Sequence, residues 1–394
     1  MILLYVLFYL SFFILFYNYI GYGILLYILI KIRRLIKRPR ETQSAFEPAV
    51  TLLIAAYNEE DHIREKIENT LALEYPEDKC HFIFVTDGST DGTMDIIRQE
   101  PRIQLLHIPD RKGKTAAINR AMPYVQTPIV IFCDANTMLN KECIRNIVKH
   151  YADEKTGGVA GEKKVVSKEK GDAASTEGVY WKYESFLKKL DAELYSVVGA
   201  AGELFSIRTA LFQPVEEDVV LDDFIISLRI NQKGYRIAYA PDAYAMEEPS
   251  FSIEEEHKRK VRISAGGFQS IVMLKALLNF FKYPVLSFQY ISHRVLRWTV
   301  SPLSMPILFI SNLLIVAITG SLFYSAVLAA QLVFYAIAFM GYQQAKQNIK
   351  SKFFYIPFYF VFMNAAVYQG FFRYLQKKQS AAWDKSKRSK TVTA

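Results

Sequence analysis

Charge is missing from the first thirty residues: "MILLYVLFYLSFFILFYNYIGYGILLYILI" contains no Asp, Glu, Lys or Arg. That run is longer than the roughly 20 residues that cross a hydrocarbon core, and it has no A-x-A cleavage site. A cleaved signal peptide is thereby excluded, and the segment reads as a retained transmembrane anchor. Cysteine is scarce as well. Cys80, Cys133 and Cys143 show neither metal nor redox spacing, which excludes a zinc module and a disulfide framework and fits reduced thiols in a cytoplasmic domain. Two nucleotide fingerprints are also absent. There is no G-x-x-x-x-G-K-[ST] run, and "DGSTDG" is not G-x-G-x-x-G. No internal repeat or low-complexity linker occurs.

What is present divides unevenly along the chain. Of 394 residues 51% are hydrophobic, with 28 Phe and 25 Tyr, enough for one soluble domain plus membrane segments. "KIRRLIKRPR" follows the anchor with six cations and no anion, which by the positive-inside rule keeps this flank cytoplasmic and the amino terminus outside. The net charge of +9 gathers at such flanks, so it points to anionic lipid headgroups and a bilayer and away from nucleic acid. Further apolar stretches lie at 300–319, 322–340 and 353–371. The expected organisation is an anchor at 1–31, a cytoplasmic domain at 32–262, interfacial amphipathic helices at 263–298, transmembrane helices at 299–375 and a basic tail at 376–394. Three C-terminal spans would leave that tail outside, against the charge rule, so one terminal segment is expected to be re-entrant or interfacial.

The soluble region alternates apolar strands with amphipathic helices. "AVTLLIAAYNEE", "CHFIFVTDGSTDGT", "IQLLHIP" and "PIVIFCDAN" each read as a buried strand, and helical patterns separate them. Such alternation predicts a parallel sheet covered on both faces, with ligands beyond the carboxyl ends of its strands. The polar clusters at 57–60, 87–91 and 134–136 all follow strand ends and should converge on one crevice. "RKGK" opens the next helix, where free backbone amides and the charges of Lys112 and Lys114 suit a phosphate. In "VEEDVVLDDFIISLRI" the acids precede an amphipathic helix, and Asp at a helix start also satisfies backbone amides without any chemistry.

In "AAYNEE", "VTDGSTDGT", "GKTAAINRAM", "FCDAN", "GELFSIR", "LDDF" and "RKVR" the chain resembles family-two glycosyltransferases of the GT-A fold, membrane polysaccharide synthases in particular. The resemblance implies an α/β GT-A (Rossmann-like, mostly parallel sheet) cytoplasmic domain inserted between transmembrane α-helices. It also implies a UDP-sugar donor, Mg2+ or Mn2+, and a glycan or lipid-linked acceptor, in an integral protein of a bacterial inner membrane with export partner proteins. Ala55, Tyr57 and Glu59 would line the nucleoside site, Asp87 would bond the base, and Lys114 would approach the diphosphate. Asp134 and Asn136 occupy the D-x-D position, where a hard cation bridges protein and diphosphate. Asp223 matches the general base of an inverting transfer and Asp222 the acid beside it. Gly202, Glu203 and Arg208 match the acceptor-side loop. Where such synthases carry Q-x-x-R-W, Arg259 and Ile263 replace Gln and Trp while Arg262 is kept, so Arg262 would hold the departing diphosphate. The readings that follow are extension of an exopolysaccharide, transfer of a single sugar to a lipid or short glycan, and a non-catalytic transport or binding subunit.

Overall fold

"VTLLIAA" has no polar face, and the strand it forms has none either. β1 (Val50–Ala56) is buried at all seven positions, as expected of a central parallel strand covered on both sides, where each large apolar side chain contributes about 1.5–3 kcal/mol. The computed structural model describes residues 1–36, 46–165, 172–248, 252–347, 349 and 351–377, with backbone alone at 172–180. The expected basic tail lies outside the described residues from 378 onward. The chain forms two units. One holds residues 33–168 and 181–249 and carries the sheet; the other holds 1–32, 169–180 and 250–378 and is helical.

The sheet has eight strands: β1, then β2 (Cys80–Asp87), β3 (Ile103–Ile108), β4 (Ile129–Asp134), β5 (Met138–Leu139), β6 (Thr156–Val165), β7 (Leu204–Arg208) and β8 (Arg236–Glu247). Their spatial order is β3-β2-β1-β4-β7-β6-β8-β5. β1 pairs in parallel with both β2 and β4, β2 with β3, and β6 with β8. β7 runs antiparallel between β4 and β6, and β5 antiparallel to β8. The expected mostly parallel sheet is therefore present, with β7 and β5 reversed. Ala55 faces Val85 and Asp134 across the ladders, so the ends of β1, β2 and β4 lie side by side.

The N-terminal segment Ile2–Ile36 is one of three helices long and apolar enough to cross a membrane among the described residues. Val300–Thr319 and Leu322–Lys346 are the others. The segment expected to span at 353–371 does form a helix, Lys352–Leu375, but it is not one of the three. Tyr355, Tyr359 and Asn364 dilute its apolar run, and all three are buried. It packs closely on the helix Ile253–Met273: a side chain at Gly370 would meet Ser264 Cβ at 2.5 Å. That helix starts at Ser252, whose hydroxyl accepts from Glu255 N at 3.3 Å, and Glu254, Glu255 and Glu256 in its first turn suit the helix dipole. It runs through residue 262, so the boundary expected there falls inside an unbroken helix.

Candidate functional site

Three loops at the carboxyl edge of the parallel strands are tied to one another by short polar side chains. Asn58, in a left-handed conformation after β1, donates its backbone N–H to Ser89 Oγ at 3.1 Å and accepts from Thr90 N at 2.8 Å. Glu59 N donates to Thr93 Oγ1 at 2.8 Å and Glu60 N to Asp91 Oδ2 at 3.2 Å. The loops after β1 and β2 thus form one rigid rim. Tyr57 lies on that rim with the Arg111 guanidinium 4.0 Å from its ring centroid, a cation–π contact. Ala55 and Glu59 are both buried.

Asp87 ends β2 and is almost fully buried. Its carboxylate accepts from Lys112 N at 3.1 Å and from Gly113 N at 2.6 Å. Gly113 has φ +100°, a conformation that disfavours any side chain, and caps the helix Lys114–Ala121. Asp87 therefore fixes the start of that helix and, with it, the position of Lys114.

Lys114 is the centre of the site. Its Nζ donates to Asp134 Oδ1 at 2.5 Å. Burial alone would lower the ammonium's pKa, but Asp134, Asp222 and Asp223 together hold it well above its ordinary value. The same helix also places Asp222 and Asp223. Thr115 Oγ1 donates to Val219 O at 3.1 Å, and Asn119 exchanges two hydrogen bonds with the backbone of Val215. These bonds hold the loop leading into the helix Asp222–Gln232, whose first turn carries Asp222 and Asp223. Asp222 is buried, and its Oδ2 has no hydrogen-bond partner. Burial raises its pKa, and Lys114 opposes the shift.

The 199–203 loop packs against the helix Asp222–Gln232. Gly199 has φ +82°, and a Cβ there would meet the Phe224 ring at 2.1 Å, so no side chain fits. Ala200 N donates to Ser227 Oγ at 3.0 Å, fastening the loop to the same helix. At Gly202 a Cβ would stand 3.1 Å from Lys114 Nζ and 3.5 Å from Asp223 Oδ2. Lys114, Asp134, Asp222, Asp223 and Gly202 are thus one cluster, assembled from four segments distant in sequence. Glu203 adjoins it: its charge reaches Asp223, and its Oε1 accepts from Lys163 Nζ at 2.6 Å.

Arg208, expected on the acceptor side, lies apart from this cluster within the sheet unit. β7 is antiparallel to β4, so Leu204 faces Cys133 beside the site while Arg208 faces Ile129 at the opposite end of the strand. Its guanidinium donates to Thr156 O at 2.9 Å and Tyr151 O at 2.9 Å, an anchor for backbone carbonyls. Arg262 lies in the helical unit, on Ile253–Met273. Lys66 went unnoticed in the sequence. Although fully buried, it donates to Thr137 O at 2.6 Å and Cys133 Sγ at 3.0 Å, bracing the turn that carries Asp134 and Asn136. Its position on the inner face of an apolar-striped helix was the available signal.

Among the described residues no group of three or more His, Cys, Asp or Glu is arranged to hold a metal. Asp134, a third exposed, and half-buried Asn136 offer one carboxylate and one amide. Hard oxygen donors in that number suit a Mg2+- or Mn2+-type ion that takes its remaining ligands from phosphate and water. The residues fit an ion that arrives with a diphosphate.

Residues 51–215 match the model of the family described as Glycosyl transferase family 2. A poly-beta-1,6-N-acetyl-D-glucosamine synthase of Staphylococcus aureus is 24% identical over 236 residues, covering 57% of this chain and 55% of its own. A probable glycosyltransferase of Bacillus subtilis is 25% identical over 263 residues, covering 60% of this chain and 58% of its own. The matched stretch thus spans little more than half of either relative. Among solved structures, a mannosyltransferase of Pyrobaculum calidifontis, in complex with GDP-Man and Mn2+, superposes with a TM-score of 0.71 at 23% identity. That superposition covers 95% of this chain and all of the other, and it shows a shared fold.

Proposed function

We propose that this chain, which carries a family-two glycosyltransferase domain on a GT-A-like fold, inverts the anomeric centre of a nucleotide sugar as it moves the sugar to a growing exopolysaccharide. The observation that carries the reading is the cluster itself: one ammonium, Lys114, faces Asp134, Asp222 and Asp223 at the carboxyl edge of the sheet. An inverting transfer needs a base on the acceptor side and positive charge on the leaving-group side. Asp223 is the base. Lys114 draws on the diphosphate, and Asp134 with Asn136 would hold a divalent ion there, which when bound offsets charge on the departing nucleotide. Ala55, Tyr57, Glu59 and Asp87 form the nucleoside side, Gly202 and Glu203 the acceptor side. Arg262 is assigned to the departing diphosphate, since a guanidinium fork pairs well with phosphate oxygens.

The three apolar helices support a membrane arrangement that a fourth span would upset. With the amino terminus outside, Ile2–Ile36 brings the chain into the cytoplasm, Val300–Thr319 takes it out and Leu322–Lys346 returns it. The cationic segment after the anchor and the basic tail then share the cytoplasmic side with the sheet domain, in agreement with the charge rule. The helix Lys352–Leu375 is the interfacial segment of this arrangement.

Membranes containing the protein should be incubated with radiolabelled UDP- and GDP-sugars and the product sized. A polymer from a UDP-sugar is expected. A single added sugar would replace the polymerase reading with single transfer, and a GDP-sugar donor would overturn uracil as the donor's nucleobase. The metal assignment has its own test. Asn136→Asp adds a full charge to the pair and is expected to tighten Mn2+ binding in the absence of donor by about tenfold, the equivalent of about 1.4 kcal/mol. Mn2+ titration of the purified protein reads this directly, and unchanged affinity would remove Asn136 from the metal site.

A further inference from the structure

A second cluster of buried charge adjoins Asp223, joining Glu203 of the "GELFSIR" motif to Lys163 and Glu247, which none of the sequence motifs marked. Lys163 on β6 has a side chain only 1% exposed. Its ammonium donates to Glu203 Oε1 at 2.6 Å and also to Glu247, the last residue of β8. The Trp181 ring covers it, with the centroid 5.1 Å from Nζ. Trp181 lies on the helix Asp172–Leu194, where Glu184 and Lys188 are buried too, and one residue before Lys163 the Glu162 carboxylate accepts from the Tyr239 and Ser185 hydroxyls.

Such an arrangement is costly. Withdrawing one ammonium and two carboxylates from water takes several kcal/mol per ion, and apolar side chains of the same volume commonly serve stability as well or better. Stability alone therefore does not account for it. Its position does offer an account. Glu203 directly follows Gly202, whose Cβ position is 3.5 Å from Asp223 Oδ2. A carboxylate anchored on one oxygen by a buried ammonium has little rotamer freedom left, and the turn that carries it is held with it.

We propose that Lys163, seconded by Glu247, is a positioning residue for acceptor binding: it locks Glu203 and the Gly202 turn beside Asp223, where the Glu203 carboxylate takes a hydrogen bond from a hydroxyl of the acceptor sugar. The assignment rests on the glycosyltransferase reading. It adds a prediction that reading does not make: loss of Lys163 harms transfer to the glycan and leaves nucleotide binding and donor hydrolysis by water in place.

The test is a double-mutant cycle in the full-length protein, using Lys163→Met, Glu203→Gln and the pair. Label incorporation into glycan, hydrolysis of the same labelled donor, and binding of Mn2+ with UDP or GDP are read in parallel. Lys163→Met is expected to lower glycan transfer about 10²-fold, the effect of misplacing a reacting group by about an ångström. Hydrolysis is expected to stay within about threefold and nucleotide affinity within about twofold. Because Lys163 acts through Glu203, the double variant should lose no more than Glu203→Gln alone, and Lys163→Arg should restore transfer to within about tenfold of wild type. Additive losses, unchanged transfer in Lys163→Met, or nucleotide binding that falls in step with transfer would each overturn the proposal. Should Lys163→Met fail to fold, Glu247→Gln removes the second anchor without a change of shape. It is expected to lower transfer, but not nucleotide binding, about tenfold, and equal loss of both would again overturn it. Failure of the functional reading looks different: wild-type protein would then neither transfer nor hydrolyse any labelled donor.

Discussion

Asp223→Asn is expected to lower sugar transfer by about 10²–10⁴-fold, the contribution of a positioned general base, while Mn2+–nucleotide binding stays within about threefold. The substitution keeps the side chain's shape and removes only its ability to take a proton. The wild-type pH profile carries a second signature. Burial raises the Asp223 carboxyl first, Asp222 adds to the shift, Lys114 opposes it and Glu203 adds again, leaving it at about 7 against an ordinary 3.8. A base with that pKa is half ionised near neutrality, so transfer should climb as pH rises through about 7 and level off above it. The residual rate of Asp223→Asn should lack this rise. A variant that retained full rate would remove Asp223 from the role of base.

The same shift predicts a change in stability of opposite sign to the change in activity. A carboxyl whose folded-state pKa lies above its unfolded value binds its proton more tightly in the folded protein. The stability it contributes is complete below pH 3.8 and is lost as pH rises through about 7. Asp223→Asn has no charge to bury, so its melting midpoint in detergent should exceed the wild type's by a few degrees at pH 8, on the scale of about 2–4 °C per kcal/mol for a domain of this size. That advantage should shrink as pH is lowered from 7 toward 4. An inactive yet more stable variant is what a strained functional group produces.

Much of this was legible in the sequence, and particular residues show why. Strands buried on both faces must be continuously apolar, so "VTLLIAA" and "VIFCD" announced themselves, and each was followed at once by the polar turn it delivers to the crevice. Lys114, Asp134, Asp222 and Asp223 were readable because each belongs to a short local motif at a strand or helix end. Strand direction was not readable. An apolar run packs equally well in either orientation, so nothing in "LFSIR" said that β7 reverses and carries Arg208 away from the edge to which it delivers Leu204. The Lys163 cluster was hidden for a related reason. Its partners lie 40 and 84 residues away along the chain, joined only by the neighbouring placement of β6, β7 and β8.

Lys114→Met should separate two properties that ordinarily change together: it is expected to weaken transfer by about 10²-fold or more and to strengthen Mn2+ binding in the absence of donor. In the structure the Asp134 carboxylate is engaged by Lys114 at 2.5 Å, so an incoming cation must compete with an ammonium already in place. Without that ammonium, Asp134 faces Asp222 and Asp223 with no counter-charge, and a divalent ion is the most effective replacement. A gain of about tenfold in affinity corresponds to about 1.4 kcal/mol, within reach of a half-buried ion pair. With no ion present the three carboxylates repel one another, so the metal-free variant should melt lower than wild type at pH 8 and recover toward it on acidification, as the carboxyls take up protons. The diphosphate of a donor gives the wild-type protein what the variant lacks, a reason for Lys114 to leave Asp134. Lys114 would then be the switch that keeps Asp134 covered until a nucleotide sugar enters. Mn2+ titrations of wild type and Lys114→Met, with and without UDP or GDP, decide this. In the wild type, nucleotide should tighten the metal; in the variant that coupling should largely vanish, and coupling of equal size in both would show that Lys114 does not guard the site.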